Sequence, residues 1–166
     1  METCPDCGVV LPGLGAERHA YMGGSASCWA LYGQVLEREY SSPAYMKVHR
    51  TTVDAYAAQH PGLPDPRAIQ SVNVHLVALF LTLDRKAHPD FVRRVLSRLA
   101  RDKGTLKWLS PPAHLGEITV ADVIEATDAD AHHHLVMQWG GAVWRAWSPH
   151  HAGIIALAER VSRDLS

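Results

Sequence analysis

Apolar residues recur along this chain at helical rather than strand spacing. Val72, Leu76, Leu79 and Leu83 form one stripe, Phe91, Val95 and Leu99 a second, and Leu135, Trp139, Val143 and Trp147 a third. Steps of three and four residues return to the same side of an α-helix, so each stripe predicts a helix with one face in a core. Sustained alternation of strand type is absent from the pattern, and only 120–124 is ambiguous.

The polar punctuation agrees with the stripes. Pro43, Pro66, Pro89 and Pro149 each follow a polar or turn residue, namely Ser42, Asp65, His88 and Ser148. Proline suits the first helical position, where its missing N–H costs nothing and its fixed φ fits. Ser27 is the expected cap of a helix over 28–40, Thr119 and Asp122 resemble a capping box, and a further helix starts near Asp128 or Asp130. The segment 43–60 reads as one helix, and 103–117, with Pro111 and Pro112, as the longest irregular connection after the N-terminus.

The expected fold class is mainly α. An irregular N-terminal zinc-knuckle loop over 1–27 leads into a compact bundle of about five to seven helices over 28–166, together one domain. At 166 residues the chain can bury a core without disulfides.

Charge and composition narrow the function classes. Sixteen basic residues against seventeen acidic give a formal charge of −1, so nucleic acid is not an expected partner. The run Arg93, Arg94, Arg98, Arg101, Lys103 and Lys107 reads as a solvated face. No apolar run reaches the roughly 20 residues that cross a bilayer, and no secretion signal opens the chain. With an odd number of cysteines, three, the expected setting is the reducing cytoplasm.

Those cysteines carry the clearest chemistry. Cys4-Pro-Asp-Cys7-Gly points two thiolates at one spot, and Cys28 supplies a third. Zinc is the expected occupant, and one tetrahedral position remains for a nitrogen. Two histidines compete for it. His19 lies inside the loop, as Cys-x2-Cys-x11-His-x8-Cys. His60 closes the helix from Pro43, which would return antiparallel to the level of Cys28; it stands ahead of His19, with His75 and His49 behind. Cys28 in the first turn of a helix would have its thiol pKa lowered by the helix dipole. Three thiolates and an imidazole fill the shell, which favours a structural ion over a catalytic one.

A second constellation is polar. His49, Tyr56 and His60 share a helix face, and the next helix brings Ser71 and His75, so antiparallel neighbours could build a pocket. Its candidate ligand-binding residues are His75, Tyr56, Asp54, His150 and His151. His150 and His151 lie at a helix start, where the dipole keeps a ring nitrogen unprotonated. Asp54 also reads as the surface partner of Arg50, four residues earlier. His132, His133 and His134 read as a surface run, and Trp139, Trp144 and Trp147 as core. Phosphate-loop, dinucleotide, nucleophile-elbow and zinc-protease motifs are missing from the sequence.

Cys4-Pro-Asp-Cys7-Gly, Ser27-Cys28-Trp29, Val53-Asp-Ala-Tyr-Ala-Ala-Gln-His60-Pro, Ser71-Val-Asn-Val-His75-Leu and Trp144-Arg-Ala-Trp-Ser-Pro-His-His151 together resemble an uncharacterised family of small bacterial proteins classed as a domain of unknown function. The resemblance spans nearly the whole chain and carries no activity. It implies that the cysteines, Asp54, Tyr56, His60, His75, His150 and His151 are the residues that mark such proteins.

Three functions follow as expectations. The first is a zinc-stabilised helical protein that binds or regulates, its partner a small molecule or a protein. The second is a metal-dependent hydrolase or transferase using His60, His75 and His150 or His151 around an open ion. The third is a thiol redox sensor.

Overall fold

Helix starts fall where a side chain or a proline can satisfy the first turn. Asp65 caps α4 (Pro66–Leu79) by accepting from the amides of Arg67 at 2.7 Å and Ala68 at 3.0 Å. The imidazole of His88 caps α5 (Pro89–Arg101), and Asp128 caps α7 (Ala129–Ala146). The capping box forms at α6 (Val120–Ile124): Thr119 accepts from Ala121 while its own amide donates to Asp122 at 2.7 Å. The ambiguous segment is therefore helical. The computed structural model describes residues 1–163 and Leu165.

Two expected boundaries move. α1 (Ala26–Ser41) begins two residues before Cys28, because Ser25 is the cap and its hydroxyl accepts from the Cys28 amide at 3.1 Å. Ser27 instead donates to the Pro12 carbonyl at 2.6 Å and accepts from the Leu14 amide, fastening the N-terminal segment to α1. The single helix expected over 43–60 divides into α2 (Pro43–Met46) and α3 (His49–Gln59). Val48 breaks it at φ −109°, ψ 3°, its β-branched side chain buried and its carbonyl taken up by the Thr52 amide and hydroxyl. That division brings the α-helices among the described residues to eight, completed by α8 (His151–Arg163), one above the expected range.

The N-terminal segment has more order than an irregular loop. β1 (Glu2–Thr3) pairs antiparallel with β2 (Val10–Leu11), and the turn between them carries Cys4 and Cys7. Two-residue strands are too short to leave an alternating pattern.

α3 is the hub. It packs on α1, α4 and α7 and is buried from Thr51 to Gln59 except at Val53. Ala55, Ala57 and Ala58 keep its flanks thin, and Gly140 lets α7 approach so closely that a Cβ there would meet Thr51 Cγ2 at 2.7 Å. Trp139 and Trp147, both fully buried, pin the end of α3: one indole donates to the Gln59 side chain and the other to the Ala58 carbonyl, each at 2.9 Å. Burying each such side chain is worth roughly 1.5–3 kcal/mol or more. Gln59 also donates to the carbonyls of Leu115 at 3.1 Å and Ile118 at 2.8 Å, tying down the irregular connection. His60, the next residue, is thus held from three directions.

The three predicted stripes are in the core. Val72, Leu76, Leu79, Val95, Leu99, Trp139, Val143 and Trp147 are inaccessible to solvent, and one apolar cluster runs from Cys4 and Cys28 to Val161. No helix among the described residues is long and apolar enough to cross a membrane.

Candidate metal centre

The Cys4–Cys7 turn is shaped by its backbone. The Cys4 amide donates to the Val9 carbonyl at 2.8 Å, and the Gly8 amide to the Cys4 carbonyl at 3.0 Å. Gly8 closes the turn at φ +75°, in the left-handed region that glycine enters without penalty. Both sulfurs then face the start of α1, where Cys28 projects, and the end of α3, where His60 returns beside it.

Cys4, Cys7, Cys28 and His60 form one group whose ligand atoms all lie within 4.8 Å of one another, and this group could hold a metal ion. Cys7 Sγ is 3.9 Å from Cys28 Sγ, and Cys28 Sγ is 3.4 Å from His60 Nε2. The thiols are free, and 3.9 Å is far beyond a disulfide bond of about 2.05 Å. Cys4, Cys28 and His60 are buried, and Cys7 is half-buried.

The surroundings fix each donor. The other ring nitrogen of His60, Nδ1, donates to the Tyr56 carbonyl at 2.7 Å, which aims Nε2 at the sulfurs. Ser25 donates its amide to Cys4 Sγ at 3.4 Å, and the Tyr56 hydroxyl donates to Cys28 Sγ at 3.7 Å. Asp6, between the first two cysteines, accepts from the Gly62 amide at 2.9 Å, linking the hairpin turn to the residues after His60.

Protonation is contested among these groups. Hydrogen bonds from Cys28 and Cys7 hold the Cys4 thiol far below the usual thiol range, while the same kind of bonds to Cys4 and Cys7, with burial, push Cys28 far up. The expected lowering of Cys28 by the helix dipole is overridden by its neighbours. Burial alone would lower His60, but hydrogen bonds to Cys4 and Cys7 outweigh it and push it up to about 9. Burial and the Cys28 sulfur raise Tyr56, keeping its hydroxyl a donor. Burial and hydrogen bonding among the sulfurs set these shifts, and a cation at the centre would let all three sulfurs ionise.

A family model of unknown function, DUF5946, matches residues 2–148. The chain belongs to this family. No curated protein and no solved structure matches it. The match takes in all four clustered residues and His75, and it ends before His150 and His151.

The other predicted site residues sit elsewhere. His19 is not in the group: its Nδ1 accepts from the amides of Tyr21 and Met22, and its ring packs on Trp29. His150 Nε2 bonds the Ser110 carbonyl at 2.8 Å. His151 Nε2 bonds the Trp144 carbonyl at 2.7 Å, and its ring stacks on that indole. His75 Nδ1 bonds Asp54 at 2.7 Å. His60, His75, His150 and His151 therefore do not gather around an open ion, since among the described residues they form no metal-ligating group beyond the one His60 shares with the cysteines. Tyr56 lies at the sulfur cluster rather than in a common pocket with Asp54 and His75.

Asp54 does pair with Arg50, at 3.0 Å, yet it is buried rather than on a solvent face, because His75 takes its second oxygen. The histidine run also differs from expectation. His133 and His134 are exposed, but His132 is fully buried, its Nε2 2.9 Å from Glu39. Glu39 is equally buried and accepts from His49 Nδ1 at 2.7 Å and from the Thr52 hydroxyl. Sequence reasoning missed this carboxylate. Its signal was the spacing Cys28, Tyr32, Val35, Glu39, which puts an acid on the buried stripe of α1.

Proposed function

We propose that Cys4, Cys7, Cys28 and His60 hold one zinc ion in a closed structural site, and that the protein works by binding or regulation in the cytoplasm. The geometry of the four donors carries this reading. Zn–S bonds of about 2.3 Å and Zn–N bonds of about 2.0–2.1 Å in a tetrahedron put sulfurs about 3.8 Å apart and sulfur and nitrogen about 3.6 Å apart. The Cys7–Cys28 and Cys28–His60 separations are 3.9 Å and 3.4 Å, and all the donor atoms lie within 4.8 Å of one another. Four protein ligands leave no position for water or substrate, and three thiolates blunt Lewis acidity, so the role that fits is holding the hairpin and the segment to α1 against the end of α3.

The test is metal content. Purified protein should carry one zinc per chain, Cys4→Ser should lose it, and the loss should lower the melting temperature. Full stability with no metal bound would end the proposal.

One observation favours a second, regulatory reading: Cys7 is half-buried where the other ligands are buried. Peroxide could reach it and take two electrons from the Cys7 and Cys28 thiolates, forming a disulfide, releasing zinc and being reduced to water. Mild peroxide that leaves zinc in place would remove this reading.

A further inference from the structure

Above the buried Asp54 lies a cleft that the zinc site does not use. It holds about 220 Å³ and is lined by Tyr21, Arg67, Gln70, Ser71, Val74 and His75. At about 30 Å³ per water molecule, that is room for a small ion and a short organic tail, not for a large cofactor. Four of the six side chains can donate hydrogen bonds from one helix: Arg67, Gln70, Ser71 and His75 occupy successive turns of α4.

Their states within the fold point outward. Among the described residues, the side chains of Gln70 and Ser71 have no hydrogen-bond partner, and the Arg67 guanidinium, 5.2 Å from the centre of the Tyr21 ring, forms no direct ion pair. Water serves these groups until something displaces it. His75 is held differently. Its Nδ1–H is fixed on Asp54, so Nε2 is left for the cleft, where 17% of the side chain is accessible. A neutral ring in this tautomer shows a lone pair at Nε2, and an imidazolium shows a second N–H.

The local charge decides which ligand suits. Asp54 is buried and shared between His75 and Arg50, so its charge is spent behind the cleft. Arg67 stands in front, feeling Asp65 at the helix cap but in no direct ion pair with it, while Tyr21 offers an aromatic wall. A negatively charged group entering here would meet a planar guanidinium, an amide, a hydroxyl and an imidazole edge.

We propose that this cleft binds the oxyanion group, carboxylate or phosphate, of a small molecule, gripped by Arg67, Gln70 and Ser71 beside the Nε2 edge of His75. The site does not depend on the identity of the metal, although Tyr21 belongs to the segment the metal would hold.

The experiment is a titration of the zinc-loaded protein with inorganic phosphate and, separately, with acetate, following the His75 ring protons by NMR at ionic strength held constant with sodium chloride. Zinc content measured on each sample separates loss of this site from loss of the metal. Saturable movement of the His75 signals by one anion and not by chloride supports the proposal; phosphate alone indicates a phosphate ester, acetate alone a carboxylate. Arg67→Gln should weaken binding about tenfold or more and Ser71→Ala by less, while Arg94→Gln on α5 should change nothing. No saturable shift with either anion, or equal binding by Arg67→Gln with its melting temperature unchanged, would overturn the proposal.

Discussion

Gly62 offers a sharp test of how backbone shape serves the metal centre. It sits two residues after His60 at φ +70°, and a Cβ built there would lie 2.2 Å from the Tyr21 carbonyl oxygen. Gly62→Ala therefore meets two costs. The left-handed conformation costs an L-residue about 1–2 kcal/mol. The clash is with backbone, which cannot swing aside as a side chain can, so relief must shift the 60–62 turn and strain the Gly62–Asp6 hydrogen bond. The combined loss should be at least about 2 kcal/mol, which is roughly 30-fold in an equilibrium constant at 1.4 kcal/mol per tenfold. For a chain of this size the melting temperature should fall by about 4–8 °C. Chelator competition should show weaker zinc binding by a similar factor, because the turn that moves carries His60. Gly33→Ala is the control: nothing lies within 4 Å of its Cβ on α1, and it should gain about 0.5–1 kcal/mol. A Gly62→Ala protein that melts and binds zinc like the unaltered chain would refute the reasoning.

Other perturbations probe separate parts of the account. Glu39→Gln would present an amide to His49, His132 and Thr52, all of which aim at the buried carboxylate; breaking a buried charged cluster costs about 3–5 kcal/mol, and urea denaturation showing under 1 kcal/mol would contradict it. His19 should make the chain acid-sensitive. Burial, then Arg67, depresses its pKa below the ordinary 6.5, so the unfolded chain binds the proton more readily. The contribution is complete above pH 6.5 and is lost as pH falls through the folded value, when Nδ1 can no longer accept from Tyr21 and Met22. His19→Asn keeps an acceptor without titrating, so between pH 7 and about 5 it should lose less stability than the unaltered chain; equal loss would count against the assignment.

What could be read from the sequence divides by physical range. Caps and periodicity act over a few residues, and they located the apolar stripes, the starts at Pro43, Pro66 and Pro89 and the Thr119–Asp122 capping box, whereas Pro149 opens a 3-10 turn and α8 begins at His151. The cysteine spacing is likewise local, and Cys28 joins Cys4 and Cys7 as expected. The choice of His60 over His19 required only that two helices run antiparallel. Burial of single polar residues was less accessible. Asp54 has the spacing of a surface pair with Arg50, and its burial depends on His75, which lies 21 residues away. His132 appears in a polar run, yet its position on α7 puts it against Glu39, 93 residues earlier. The two short strands and the break at Val48 are set by contacts rather than by any pattern along the chain.

X-ray absorption at the zinc edge on the purified chain bears most directly on the claim that one ion joins the hairpin to the helical body. One zinc per chain with three sulfurs at about 2.3 Å and one nitrogen at about 2.0–2.1 Å is the expected shell. His60→Ala should lose the nitrogen, and His19→Ala should leave the spectrum unchanged. A shell of oxygens and nitrogens, or three sulfurs and a nitrogen that survive His60→Ala, would contradict the account.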